Sequence, residues 1–268
     1  MEYRVLGKSK QKISTIGMGT WKIGATDPKE RSAEISAIRA GIELGVTLID
    51  TAEYYGNGLS ELLVGEAIRG KRDSVFVATK VWPDHLHHDD VIAACDRSLQ
   101  RLGTSTIDLY QIHWPNPNIP IKETMSAMER LVRDGKVVHV GVSNFSVAEM
   151  TSAQEALSKS ELVSNQVQYS LGSREIEAEI LPYCERAGMT VIAYSPLGRG
   201  EFSSWEIPNE IASKYGMTSA QVALNWVTRN NSVVAIPKAS NTRHAIENVN
   251  SVSVRFTDDE YARISREN

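Results

Sequence analysis

Four proton-handling side chains stand where apolar runs give way to polar residues: Asp50 and Tyr55 in IDTAEYYG, Lys80 closing VFVATK, and His113 in IHWP. Lys80 is the least ordinary of them, because an ammonium at the end of a buried strand is costly unless it is paired. Asp50, on the preceding run, can pair it. An ammonium beside Tyr55 favours the phenolate and lowers a phenol pKa that starts near ~10, which makes a general acid for neutral pH. A purely structural ion pair would explain Asp50 and Lys80, a packed ring Tyr55, and a hydrogen-bonded core residue His113. It gives no reason for all four to converge.

What must position them is a repeating pattern. Eight β-prone runs occur at Thr15–Gly19, Val46–Asp50, Val75–Lys80, Ile107–His113, Val137–Ser143, Val163–Tyr169, Thr190–Ser195 and Val233–Pro237. Segments of helical period fill the gaps, among them Ala33–Leu44, Val91–Leu102, Met125–Val132 and Glu177–Ala187. Eight strand–helix units without a Pro/Gly/Ser-rich linker predict a single (β/α)8 TIM barrel over residues 1–268, with an open doubly wound sheet as the alternative. Tyr3–Leu6 and Lys12–Ile16 around Gly7-Lys8-Ser9 predict an N-terminal β-hairpin that closes the bottom of the barrel. The last gap holds a loop, Gly198–Pro208, and two helices, the second over Ser219–Thr228 behind the N-cap Thr218. In such barrels the active site lies at the C-terminal strand ends, which is where the four residues fall.

Composition narrows the partners. The chain has 268 residues, 29 Lys+Arg against 33 Asp+Glu, 41% hydrophobic residues and no long basic run, so neither nucleic acid nor a membrane surface is expected. Cys95 and Cys184 form neither a disulfide framework nor a metal motif. No apolar leader or membrane-length run is present, and the expectation is a cytoplasmic monomer or weak oligomer. His85, His87 and His88 sit in the acidic stretch PDHLHHDD without supporting ligands and read as a solvated loop, so no metal is expected.

The stretch GVTLIDTAEYYGNGLSELLVG at 45–65, with TKVW at 79–82, IHWP at 112–115, GVSNF at 141–145, NQVQYS at 165–170, AYSPLGRG at 193–200 and IPKASNTRHAIEN at 236–248, resembles the aldo-keto reductase superfamily across nearly the whole chain. The resemblance implies a nicotinamide-dependent carbonyl reductase with the tetrad Asp50, Tyr55, Lys80 and His113. Tyr55 would give the proton, Lys80 lower its pKa, Asp50 hold Lys80 and His113 orient the carbonyl of a small aldehyde, sugar or diketo acid. Histidine at 113 implies carbonyl rather than double-bond reduction.

GMG at 17–19 is not extended to GxGxxG, so a Rossmann cofactor site is not expected. The resemblance instead assigns Ser143, Asn144 and Gln166 to the nicotinamide carboxamide, Tyr194 to ring stacking, and Gly19, Thr20 and Asp50 to the adjoining wall. Ser195, Leu197 and Gly198–Gly200 would meet the phosphates, and Lys238, Ser240, Arg243, Glu247 and Asn248 the adenosine end. A fixed cation and Lys238 suit a 2′-phosphate, hence NADPH. His244 fills the slot in which many relatives carry Arg, with Arg243 one earlier and Ala239 for the frequent Ser, so NADH use stays open. Trp21, Trp82 and Trp114, each just past a strand end, predict an aromatic substrate pocket together with Tyr55 and His113. The chain ends at Asn268 soon after the helical segment Phe256–Glu267, which predicts a relatively open site. Two other readings are a Lys80 Schiff-base aldolase and a cofactor-binding regulatory subunit of a membrane channel.

Overall fold

The hairpin comes first in the chain: β1 (Tyr3–Val5) pairs antiparallel with β2 (Lys12–Ser14), Tyr3 opposite Ser14. A computed structural model describes residues 1–198 and 200–267, apart from the side chains of Glu201 and Phe202; Arg199 of the expected phosphate loop and Asn268 lie outside the described residues. Eight parallel strands follow: β3 (Met18–Gly19), β4 (Leu48–Asp50), β5 (Phe76–Val81), β6 (Ile107–Ile112), β7 (Val137–Ser143), β8 (Leu162–Gln168), β9 (Thr190–Tyr194) and β10 (Val233–Ala235). They pair in chain order. The ring closes through parallel bridges Ile16–Ala235 and Gly19–Lys238. Closure needs glycine on the first strand, because a Cβ at Gly19 would stand 2.5 Å from the Ile236 carbonyl oxygen.

Helices α1 (Pro28–Glu43), α2 (Leu59–Ala67), α3 (His88–Leu102), α4 (Ile121–Arg133), α5 (Val147–Ala156), α6 (Ile180–Ala187), α7 (Glu206–Tyr215), α8 (Ser219–Val227), α9 (Thr242–Asn250) and α10 (Asp258–Arg266) accompany the strands. The fold is therefore the expected (β/α)8 barrel. Helix α1 starts five residues before the apolar period does, because Asp27 accepts from the Lys29 and Glu30 amides and Pro28 takes the first position. The segment at 175–177 is a single 3-10 turn, and α6 begins only at Ile180. Thr218 and Ser146 each form a capping box, with Gln221 and Glu149.

Strand alternation separates two layers of packing. Outward residues such as Ile49, Val77, Tyr110 and Val142 pack against the helices. Leu48, Phe76, Ala78, Leu109, Val163, Ile192, Val234 and Ile236 form a second cluster, which includes Leu6 and Ile13 of the hairpin. The hairpin thus plugs the N-terminal end as predicted. No helix among the described residues is long and apolar enough to cross a membrane.

Candidate active site

Asp50 ends β4 and Lys80 lies on β5, one strand over, with both side chains buried. The Lys80 ammonium, 0% exposed, donates to Asp50 Oδ1 and Oδ2 at 2.9 and 2.8 Å, to the Thr51 carbonyl at 2.8 Å and to the Tyr55 hydroxyl at 3.3 Å. Gln166 on β8 reaches across the barrel, its Nε2 donating to Asp50 Oδ1 at 2.7 Å. Tyr55 is brought in by a tight 3-10 turn, Tyr55–Gly58, in which Gly56, Asn57 and Gly58 all have positive φ. His113 follows β6, buried, its ring 5.6 Å from that of Tyr55 at 74°.

Burial and charge set the protonation states. Burial pushes the Asp50 carboxyl up, opposed by Lys80 and Gln166. Burial works against the Lys80 ammonium, but Asp50 and Tyr55 outweigh it and raise its pKa, so it stays charged. Burial raises the Tyr55 phenol, and Lys80 pulls it back only in part. That corrects the sequence expectation of a lowered phenol pKa: Lys80 acts in the expected direction, and loss of hydration is the larger influence. His113 is pushed down to about 3 by burial and the nearby Lys80, so it is a neutral imidazole.

Asp50, Tyr55, His113 and Gln166 line a cleft of about 430 Å³, with Lys80 buried behind them. Strands β3 to β6 contribute aromatic walls, Trp21, Tyr54, Trp82 and Trp114, and β7 to β10 contribute Ser143, Asn144, Gln166, Tyr194, Ser195, Leu197, Gly198 and Lys238. Trp21 meets Tyr55 edge-on at 5.0 Å, Tyr54 stacks on Trp82 at 3.8 Å, and Trp82 meets His113 edge-on at 5.2 Å. Trp21 and Trp114 are half exposed, which keeps the mouth open. Among the described residues, the four non-glycines with positive φ, Lys22, Asn57, Asn144 and Ser195, all follow strand ends at this mouth. Backbone strain is thus stored around the cleft.

The polar side is already knit together. Ser143 Oγ donates to the Gln166 carbonyl, Asn144 Nδ2 donates to Ser143 Oγ and to the His113 carbonyl, and the Tyr194 hydroxyl donates to Asn144 Oδ1. Gln166 Oε1 has no protein partner among the described residues and faces the same cleft, leaving an acceptor for an amide N–H. The Gly198 and Gly200 amides bond within their own loop, to the Ser195 and Leu197 carbonyls.

Exposed Lys238 lines the cleft and has no ion-pair partner among the described residues, as a phosphate site requires. Arg243 pairs with Glu247 at 2.8 Å on α9, and Ser240, Glu247 and Asn248 lie beyond the cleft lining. The Thr20 hydroxyl accepts from Ser60 Oγ at 2.7 Å beneath the surface and does not line the cleft. The residues present fit a nicotinamide group at the barrel mouth, where Gln166, the Tyr194 ring and Lys238, without an ion pair among the described residues, line one cleft.

His85, His87 and His88 each face a carboxylate, Glu53, Glu123 and Asp89, and among the described residues no three His, Cys, Asp or Glu side chains group to hold a metal. Tyr54 and Glu53 carry no local sequence motif that marks them as site residues. The only signal for them was their place before the Gly-Asn-Gly turn.

A parallel barrel with a buried aspartate–lysine pair hydrogen-bonded to a tyrosine, and a neutral histidine beside them at its mouth, is the arrangement that the resemblance to aldo-keto reductases implies. Residues 15–267 match the aldo/keto reductase family, and the chain belongs to it. Methylglyoxal reductase YeaE of Escherichia coli (strain K12) is 41% identical over 259 residues, 95% of this chain and 90% of that protein. A thermostable aldo-keto reductase crystallised with the inhibitor epalrestat superposes with a TM-score of 0.94 at 38% identity over the full length of both chains. An aldo/keto reductase from Klebsiella pneumoniae, in complex with NADP and acetate, gives 0.90 at 39% identity over 99% of this chain and 95% of that one.

Proposed function

We propose that this protein reduces small aldehydes and ketones to alcohols with NADPH, Tyr55 being the proton donor. The observation that carries the reading is the Lys80 ammonium, hydrogen-bonded at once to Asp50 and to the Tyr55 hydroxyl on the floor of an aromatic cleft. NADPH, when bound, supplies the reducing electron pair with a hydrogen. Gln166, Ser143, Asn144 and Tyr194 would hold its nicotinamide end and Lys238 its phosphate.

Tyr55 stays protonated at neutral pH and so is ready to donate to a carbonyl oxygen. Lys80, 3.3 Å away, offsets the charge left on the phenolate, and Asp50 keeps Lys80 in place. Neutral His113 offers an N–H to the same oxygen without competing as a charge. Trp21, Trp82 and Trp114 would give the carbonyl apolar walls in an open mouth. Oxoaldehydes of the methylglyoxal type are the first substrates to try, since the E. coli relative carries that name. Two buried, unpaired cysteines suit a reducing cytoplasm. A Schiff-base role for Lys80 is disfavoured, because its ammonium is fully buried and engaged with four acceptors.

The test follows loss of dihydronicotinamide absorbance with NADPH and NADH over a panel of aldehydes, for wild type and Tyr55→Phe. The variant should lose roughly 10²–10⁴-fold in kcat, the range of a general acid, with its Kd for NADPH kept within about twofold. Unchanged kcat removes Tyr55 from the mechanism. Tight NADPH binding by wild type without turnover of any carbonyl overturns the reductase reading.

A further inference from the structure

Glu53 is a buried carboxylate, 9% exposed, that the proton relay does not use. It lies in the turn after β4, next in the chain to Tyr54. Its Oε1 accepts the Trp82 backbone N–H at 2.7 Å and meets His85 Nδ1 at 2.9 Å, while Oε2 stands 3.9 Å from Arg97 of α3. One side chain therefore ties the turn after β4 to the loop after β5 and to the helix behind it. The residue whose amide it holds is the wall of the cleft: Trp82 stacks on Tyr54 with ring planes 8° apart and packs edge-on against His113.

A carboxylate is expensive to bury, and a small apolar residue at 53 would leave the Trp82 N–H without its acceptor. Tyr54, by contrast, is 46% exposed and has little packing of its own to fix it. The stack is held by its two backbones, and Glu53 spans both.

We infer that Glu53 is a positioning residue for substrate selection: by fixing the Tyr54–Trp82 stack as one rigid face, it favours planar aryl aldehydes over small aliphatic carbonyls. This rests on the carbonyl-reductase reading. The aryl ring would lie against a face that is already formed, so little ordering is left to oppose binding. Glu53 touches neither Tyr55 nor Lys80, so the chemical step itself should be spared.

The experiment compares wild type, Glu53→Ala and Glu53→Gln on 2-naphthaldehyde and on methylglyoxal, with NADPH binding measured separately by fluorescence. Glu53→Ala should raise KM for the aryl aldehyde about tenfold, the loss expected when a buried N–H loses its partner, with kcat and NADPH affinity within about twofold. KM for methylglyoxal should move less than about threefold, and Glu53→Gln, whose amide oxygen still accepts from Trp82, should restore the aryl KM. An equal fall in kcat on both substrates, an unmoved aryl KM, or failure of Gln to restore it overturns the inference. Should Glu53→Ala not fold, Tyr54→Ala removes the exposed half of the stack directly; the same aryl-selective rise supports the inference and its absence overturns it. Tyr55→Phe run alongside separates the two levels. Lost turnover there with an unmoved KM in Glu53→Ala defeats the Glu53 inference alone, and retained turnover in Tyr55→Phe defeats the reading beneath it.

Discussion

The two ends of the barrel interior are built on opposite principles. At the N-terminal end, Leu48, Phe76, Leu109, Ile192 and Val234 close around Leu6 and Ile13 of the hairpin in one apolar cluster. At the C-terminal end, β4 to β8 or their immediate extensions turn Asp50, Lys80, His113, Ser143 and Gln166 into the same channel, all buried and polar. On β4, Leu48 and Asp50 are one strand repeat apart, and on β5, Phe76 and Lys80 are two. Burial is equal at both ends, so it cannot distinguish them. At the bottom it removes apolar surface from water and stabilises; at the top it strips hydration from charges and holds their pKa values away from solution values. One end supplies stability, and the other gives some of it up to keep charged groups out of water.

The contrast can be broken at the top first. Lys80→Met leaves the Asp50 carboxyl buried without its cation, with the Gln166 amide still donating to it, and breaking such a pair costs about 3–5 kcal/mol. Denaturant unfolding should show that loss, and a Lys80→Met/Asp50→Leu double variant should recover much of it while staying inactive. A double variant no more stable than the single would mean that the pair was not the source of the cost.

At the bottom, Leu48→Ala should cost about 3 kcal/mol, within the usual 2–5 for a buried leucine, with kcat of the folded enzyme unchanged within about twofold. A large kcat loss there would show that the two ends are coupled rather than separate.

The smallest effect is set by pH. His113 has its ordinary pKa of 6.5 when unfolded and about 3 when folded, so below 6.5 the unfolded state binds the additional proton. Its burial costs no stability from this source above pH 6.5, and stability falls by about 1.4 kcal/mol per pH unit as pH drops from 6.5 towards 3. Unfolding free energies of wild type and His113→Gln between pH 7 and 5 should diverge with that slope. Parallel curves would place the imidazole in contact with water in the folded state.

The sequence by itself was enough for the eight-fold alternation, the hairpin and the meeting of Asp50, Tyr55, Lys80 and His113 at one end of the barrel, because each of these is written locally. Strand and helix periods are local, and a polar residue ending an apolar run is visible without knowing what it touches. Positions 50, 80 and 113 sit at the ends of three successive runs, and order in the chain became order around the barrel. The tertiary structure alone decided the rest. That burial outweighs Lys80 at Tyr55 depends on how many atoms surround the phenol. The Gln166 donation to Asp50 crosses 116 positions of sequence and appears only when the ring closes. The resemblance assigns Thr20 to the cleft wall, yet its hydroxyl turns inward to Ser60. Nothing local marks Glu53, and its hold on Trp82 exists because β4 and β5 lie side by side. Local sequence fixes which groups reach the mouth of a barrel; desolvation and partner choice depend on every strand at once and are set only by its closure.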